Sequence, residues 1–374
     1  VPVAEWDGDR ISTSIQDEVF SQALESAAAD ENGRKTVIIR LEQAAKQVQV
    51  ELPAQAVSSS EPHQVVISSS IGILVLPSNM LSYLDLGEGD TVQLVIAEAE
   101  TADDSERKAV EIHVKVNDEI IDWNNAAAAV TVEIAYVPTT IERLLHEFLA
   151  VVFIDDEGNQ IPIYNGRYDP ETGRVVFTTS HFSRYAVVFA PKTFSDIASY
   201  PWAQHEIEVL ATKGIINGTS EERNTFTPGA NISRADYILL LVKTLGLQAE
   251  VKDNFADVRP GDYYYEAVGI AKALGITNGD GKGNFNPRAE ITRQDMFTLT
   301  ARALAVVGYE LDAAPGAVLD SFTDKDQIAS YAQAPIAALV ADGLVRGSGG
   351  KLNPQDSTTR AEAAVFLYRL YNLP

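Results

Sequence analysis

Three short phrases in the C-terminal half carry the residue types best suited to chemistry. They read Ile232-Ser233-Arg234-Ala235-Asp236, Ile291-Thr292-Arg293-Gln294-Asp295 and Thr358-Thr359-Arg360-Ala361-Glu362. In each, a hydroxyl residue is followed by an arginine and, three positions on from the hydroxyl, by an acid. That spacing is a capping box: the hydroxyl accepts from the third backbone N–H of a helix, and the carboxylate reaches back to the cap's own N–H. The arginine then falls on the first helical residue, beside unpaired N–H groups and the positive end of the helix dipole. A guanidinium at such a helix start can hold an anion through charge-assisted hydrogen bonds. Three copies in one chain predict a multivalent binder.

The elements that must position these phrases form an internal repeat. Phe194-Ser195-Asp196 returns as Phe255-Ala256-Asp257 and Phe322-Thr323-Asp324. A helix ending at a glycine follows each: 202–213 before Gly214, 264–274 before Gly275 and 331–342 before Gly343. Apolar residues at Ile207, Leu210 and Ala211 have helical spacing, and the glycines suit a left-handed C-cap. Next come the turns Ile216-Asn217-Gly218, Thr277-Asn278-Gly279 and Val345-Arg346-Gly347, then Phe226-Thr227-Pro228, Phe285-Asn286-Pro287 and Leu352-Asn353-Pro354. The arginines lie 59 and 67 residues apart, so the unit is about 60 residues, with segments 247–254 and 306–321 absorbing the difference.

These six blocks, in register three times over residues 192–374, resemble the S-layer homology (SLH) domain. The resemblance implies an all-α, pseudo-threefold SLH triplet in which each repeat gives a helix to a central bundle; with a β-rich N-terminal region read from strand alternation, the expected fold class is multidomain α+β. It implies grooves between repeats that bind secondary cell-wall polysaccharide, often through a pyruvate ketal on an amino sugar. The family's ligand contacts, carried over residue by residue, are Arg234, Arg293 and Arg360, with Gly218, Gly279 and Gly347. Ser233, Thr292, Thr359, Asp196 and Asp257 join the candidate set, although the Asp of the opening block is commonly a turn or cap residue. Trp202, Tyr264 and Tyr331 lie near one repeat position and offer faces for stacking on a sugar. A pyruvate ketal is a small carboxylate on a neutral sugar, which one Arg fork suits at about 1.5–3 kcal/mol per charge-assisted bond. Repeat three departs most from the pattern, with Lys325, Arg346 and Leu352, so Arg293 is expected to matter more than Arg360.

Residues 1–191 read as mostly strand. A helix is expected from about Asp17, with Phe20, Leu24 and Ala27 or Ala28 on one face. Runs of β-branched alternation follow at 36–41, 47–52, 64–68, 71–76, 91–97, 109–116 and 129–136. Runs at 151–155 and 161–164 precede a hairpin signal at 167–173 feeding a strand at 174–178, and a last strand covers 184–189. Two strands end alike, at Pro53 and at Pro77. The polar stretch 101–108 reads as a break between two β lobes, giving domains at 1–100, 101–191, 192–252, 253–319 and 320–374.

Composition bounds the rest. The formal charge of −24 disfavours nucleic acid and anionic membranes as partners, and the 374 residues contain no Cys. The charge is uneven: residues 1–191 hold 12 Lys+Arg against 31 Asp+Glu, and residues 192–374 hold 17 against 22. No apolar run approaches the length of a membrane span. The chain begins Val1-Pro2-Val3, as a processed or trimmed chain would. His146-Glu147 and His205-Glu206 begin like zinc helices but lack the second His. The segment 278–284 resembles the opening of a calcium loop, but Lys282 stands where an oxygen ligand belongs, so it reads as a glycine turn. His181-Phe182-Ser183 resembles the cleavage triplet of self-processing ZU5-type β domains, in which a serine attacks the preceding carbonyl. The sequence thus predicts an exported, non-enzymatic wall anchor without cofactor or metal. A surface-lattice subunit that self-associates through the β region and a β domain cleaving itself at Phe182-Ser183 are the alternatives.

Overall fold

Alternation of β-branched with polar residues builds the first half of the chain, because successive strand side chains point to opposite faces. A computed structural model describes residues 4–41, 43–87, 89–101, 106–311 and 316–373. It divides the chain into two units, Val1–Pro191 and Lys192–Pro374. The first residues, Val1-Pro2-Val3, and parts of the 101–108 and 306–321 segments lie outside the described residues.

The first unit contains strands β1 (Glu5–Asp7), β2 (Arg10–Ser14), β3 (Lys35–Leu41), β4 (Gln47–Pro53), β5 (His63–Ser69), β6 (Gly72–Pro77), β7 (Thr91–Ala99) and β8 (Glu106–Val116). It continues with β9 (Glu119–Ile121), β10 (Val130–Ala135), β11 (Leu149–Ile154), β12 (Gln160–Ile163), β13 (Arg167–Asp169), β14 (Arg174–Thr179) and β15 (Arg184–Phe189). Helices α1 (Asp17–Ser26) and α2 (Thr140–Leu144) interrupt them. One sheet runs β1-β2-β4-β7-β8-β15-β11-β12, with β9 on β8, and the other runs β13-β14-β10-β6-β5-β3. The pairs β2/β4 and β3/β5 are parallel and the rest antiparallel. As expected, α1 buries Phe20, 167–173 makes the β13–β14 hairpin, and β4 and β6 end at Pro53 and Pro77.

Inward residues of both sheets form one core that includes Val50, Leu74, Leu94, Val132, Val151 and Val187. Each such side chain contributes about 1.5–3 kcal/mol by leaving water. The division into lobes at 1–100 and 101–191 is therefore overturned. Strand β7 pairs along its length with β8 on the far side of residue 101, and each sheet mixes strands from both sides. The polar composition of 101–108 reflects a connection between neighbouring strands, not a boundary.

In the second unit the apolar spacing yields α3 (Gln204–Thr212), α4 (Arg234–Leu245), α5 (Tyr265–Ala273), α6 (Arg293–Val306), α7 (Ser330–Ala341) and α8 (Arg360–Tyr371). Gly214, Gly275 and Gly343 end their helices with φ of 74°, 71° and 76°, the left-handed cap that only glycine adopts without strain. The three helices that begin at the motif arginines meet one another. Phe297 of α6 lies edge-on to Phe366 of α8 at 5.3 Å, and the buried Tyr237 hydroxyl of α4 meets Thr300 of α6 at 2.5 Å. Each remaining helix packs on the motif helix of the preceding repeat: α5 on α4, α7 on α6, and α3 on α8. That last contact closes the set, since it joins repeat one to repeat three.

The middle residue of each Phe-x-Pro or Leu-x-Pro step has positive φ: 57° at Thr227, 59° at Asn286 and 50° at Asn353. Asn tolerates this region, but a β-branched residue is strained there. Thr227→Asn should therefore stabilise the repeat unit by about 1 kcal/mol, the size of such a backbone penalty. The check is calorimetric melting of wild type and variant; an unchanged or lowered transition would refute it.

Candidate functional site

The phrases that open the motif helices hold the repeats together. Ile232 N–H donates to Thr358 C=O (2.9 Å), Thr358 N–H to Ile291 C=O (3.0 Å) and Ile291 N–H to Ile232 C=O (3.1 Å), a closed cycle through all three repeats. The next amides also cross between repeats. Arg234 and Ala235 N–H donate to Ala289 and Pro287 C=O, Arg293 and Gln294 to Asp356 and Pro354, and Arg360 and Ala361 to Ala230 and Pro228. Ser233, Thr292 and Thr359 side chains accept from the amides of Asp236 (3.1 Å), Asp295 (3.3 Å) and Glu362 (3.3 Å). The expectation that unpaired helix N–H groups await an anion is thus overturned. Neighbouring carbonyls and the cap hydroxyls already fill those donors, so neither the amides nor Ser233, Thr292 and Thr359 are held in reserve for a ligand.

The reciprocal half of the capping box is present at Thr359, whose N–H donates to Glu362 Oε2 at 2.9 Å. In the other two repeats the shorter Asp side chain is turned to a different use. Asp295 accepts from Arg234 Nη1 of repeat one (3.3 Å) and from the Tyr331 hydroxyl of repeat three (2.6 Å), so three repeats converge on one carboxylate. Asp236 accepts from the Tyr263 hydroxyl at 2.6 Å.

Each motif arginine also reaches into the following repeat. Arg234 Nε donates to Phe285 C=O (3.1 Å), Arg293 Nε to Leu352 C=O (2.8 Å), and Arg360 Nε to Phe226 C=O (2.8 Å) with Nη2 to Asn217 C=O (3.1 Å). The guanidinium of Arg234 covers the Phe285 ring at 5.1 Å and that of Arg360 covers Phe226 at 4.4 Å. Where Leu352 replaces the aromatic, Arg293 lies over Phe297 instead, at 5.5 Å. Each groove therefore combines the arginine of one repeat with the turn of the next. Arg293 serves the divergent turn of repeat three, and Arg234 serves the Thr277-Asn278-Gly279 turn. The chain alone does not reveal this one-repeat offset.

The Arg234 groove is a cavity of about 560 Å³ lined by Arg234, Thr277, Asn278, Gly279, Asn286, Asp295, Arg302 and Tyr331, among others. Its size and its few convergent polar groups suit a small polar ligand. With Nε and Nη1 occupied, Nη2 of Arg234 has no partner among the described residues. Burial, then the bond to Asp295, pushes the Tyr331 hydroxyl up to about 12, so it stays a donor at neutral pH. Arg302 was missed by sequence reasoning; its Nη1 donates to Ile276 C=O at 3.1 Å. The signal was available: Lys243, Arg302 and Arg369 each stand nine residues after a motif arginine.

Several candidates have structural duties. Asp196 clasps the amides of Phe226 and Thr227 (both 2.8 Å), and Asp257 clasps those of Phe285 and Asn286 (both 2.8 Å). Their oxygens brace the left-handed step, which removes Asp196 and Asp257 from the ligand set. A Cβ on Gly218, Gly279 or Gly347 would lie 2.8, 2.3 or 2.5 Å from a backbone oxygen and against Phe194, Phe255 or Phe322. Close packing thus accounts for these glycines, and Gly279 also lines the groove. Tyr264 is buried; Tyr263, 69% exposed, is the residue that matches Trp202 (52%) and Tyr331 (50%). Asp280 spends its carboxylate on Asn284 and on the Lys282 and Asn284 amides, a glycine turn as expected.

In the first unit, His181 and Ser183 are not arranged as base and nucleophile. Ser183 Oγ donates to Ile154 C=O at 3.1 Å, His181 Nδ1 faces Thr179 at 3.4 Å, and buried Nε2 has no partner among the described residues. The Tyr185 hydroxyl donates to His181 C=O. Among the described residues no cluster of His, Asp and Glu could hold a metal ion, and no helix is long and apolar enough to cross a membrane.

Residues 193–238, 254–297 and 321–364 match the family model described as S-layer homology domain. An amylopullulanase of Thermoanaerobacterium thermosulfurigenes is 33% identical over 224 residues, 59% of this chain and 12% of that protein. S-layer protein sap of Bacillus anthracis is 29% identical over 48% of this chain and 21% of its own length. A surface-layer 125 kDa protein of Lysinibacillus sphaericus is 31% identical over 47% and 14%. This chain thus spans between about an eighth and a fifth of these relatives. The amylopullulanase match is longer than the 183-residue repeat unit, so it extends into the β unit. Three family matches on three interlocked repeats place the chain at the bacterial cell surface, as an S-layer homology domain protein with three such domains in its C-terminal half.

Proposed function

We propose that residues 192–374 form a pseudo-threefold, all-α anchor that holds the chain to the cell wall without a covalent bond or catalysis. The ligand is an anionic secondary cell-wall polysaccharide, and its pyruvylated amino sugar enters a groove between repeats. The observation that carries this reading is the cavity of about 560 Å³ at Arg234. It offers an unpartnered Nη2, a second cation at Arg302 and the exposed face of Tyr331. A carboxylate can take the guanidinium edge while the sugar lies on the ring.

A lattice role for the β unit is a second reading, favoured by α2. That helix turns its acid inward, with Glu142 buried against Arg107 (2.9 Å) and Tyr136 (2.9 Å). Its apolar residues face out, with Ile141 62% and Leu144 78% exposed beside Val137 at 88%. Exposed clusters of this kind mark contact surfaces.

Cosedimentation with purified sacculi tests the anchor. The full chain and residues 192–374 should bind native sacculi, and residues 1–191 should not. Stripping the polysaccharide should abolish binding by both. Retention on stripped sacculi, or equal binding by residues 1–191, would refute the anchor reading.

A further inference from the structure

The groove served by Arg293 differs in kind from the other two. Arg346 stands where Asn217 and Asn278 stand in their turns, adding a guanidinium. Its Nε donates to Gly343 C=O at 3.4 Å, and Arg369 Nη1 donates to Leu344 C=O at 3.2 Å. Consecutive carbonyls therefore hold two like charges side by side. Arg369 feels this: its pKa is held down first by burial and then by Arg346, while Glu206 of α3 opposes the shift. Arg234 and Arg302 line one cavity, and one repeat further on their counterparts are Arg293 and Arg369. The acid at this position, Glu362, is divided between Arg293 (3.3 Å) and its own capping box. Among the described residues no tyrosine hydroxyl locks it, because Trp202 takes the place of Tyr263 and Tyr331. The Arg234 groove, by contrast, sets Arg234 and Arg302 against Asp280, Glu290 and Asp295.

We propose that the Arg293–Arg346–Arg369 groove is a separate site for a sugar phosphate, a group more highly charged than a ketal carboxylate. A phosphate presents three oxygens and close to two charges at neutral pH, which suits several guanidinium forks. It also relieves the repulsion between Arg346 and Arg369. The exposed indole of Trp202 supplies an apolar face for the attached ring. The saccharide part rests on the wall-binding reading; the phosphate part rests on the arginines alone.

The test is calorimetric titration of the full chain with glucose 1-phosphate, and separately with inorganic phosphate. One saturable site is expected for glucose 1-phosphate, weakened tenfold or more by Arg346→Asn and by Arg369→Gln. Trp202→Ala should weaken glucose 1-phosphate and leave inorganic phosphate alone. Arg346→Asn installs the residue that this chain already uses at the same turn, and its melting transition should match wild type. No saturable site, or one that Arg346→Asn leaves intact, would overturn the proposal. Equal affinity for the two probes would overturn its saccharide part. Wall binding by the Arg234 groove is read independently, by cosedimentation, so either reading can fail alone.

Discussion

Replacing Asp324 by alanine should destabilise the repeat unit by about 3–4 kcal/mol. Asp324 is 5% exposed, and its two oxygens accept from the amides of Leu352 (3.0 Å) and Asn353 (2.7 Å). Bonds to a charged acceptor contribute about 1.5–3 kcal/mol each, and truncation strands two amides, one of them on buried Leu352. Asn353 holds positive φ, so the clasp also braces a strained turn. In a unit of 183 residues each kcal/mol moves Tm by roughly 2–4 °C, so a fall of roughly 6–16 °C is expected in the repeat transition. The same clasp predicts acid sensitivity. Burial alone would raise the Asp324 pKa, but the Leu352 and Asn353 amides outweigh it and hold the carboxyl below its usual 3.8. A depressed folded pKa contributes stability that is complete above 3.8 and lost as pH falls through the lower folded value. Wild type should therefore lose repeat stability below about pH 4, and Asp324→Ala should show a shallower loss over the same window. A variant within 1 kcal/mol of wild type would mean that the clasp is dispensable.

The second large effect is expected at Arg234. Arg234→Ala should weaken binding to the pyruvylated polymer by about 10- to 150-fold, the value of one charge-assisted contact of about 1.5–3 kcal/mol. It should also lower stability by about 2–3 kcal/mol, because the Arg234 side chain is 17% exposed and its loss leaves Phe285 C=O and Asp295 without their cation. Arg234→Lys separates the two. Lysine retains the charge but cannot bridge Phe285 C=O, Asp295 and a ligand from one planar fork. Measured well below the melting transition, Arg234→Lys should recover part of the stability and little of the affinity. Arg293→Ala should cost less affinity for this polymer than Arg234→Ala, because Arg293 faces the altered turn of repeat three. Equal losses at both positions, read by titration with soluble polymer, would refute the assignment of the ligand to the Arg234 groove.

The sequence was sufficient for whatever depends on a few adjacent residues. Period-two alternation marked the strands, and Asp169-Pro170 with Gly173 marked the β13–β14 turn, because those conformations are decided locally. Gly214, Gly275 and Gly343 announced left-handed caps, and Ser233, Thr292 and Thr359 announced helix starts, for the same reason. The repeat itself, and with it the family, was legible from six short blocks in register.

Tertiary structure alone decided which groups are free. The helix-start amides looked available because a lone helix leaves them unpaired, but the carbonyls that fill them, such as Ala289 and Pro287, lie more than 50 residues away in sequence. Asp196 and Asp257 looked like candidates for the same reason, since the amides they clasp are about 30 residues distant. The parallel β2/β4 and β3/β5 pairs, and the single core that joins residues on both sides of position 101, are likewise contacts between distant segments. So is the offset that gives Arg234 the turn of repeat two and Arg293 the turn of repeat three. Composition and spacing fix which groups can bond, and only the closing of the ring of repeats fixes which of them still have a bond to give.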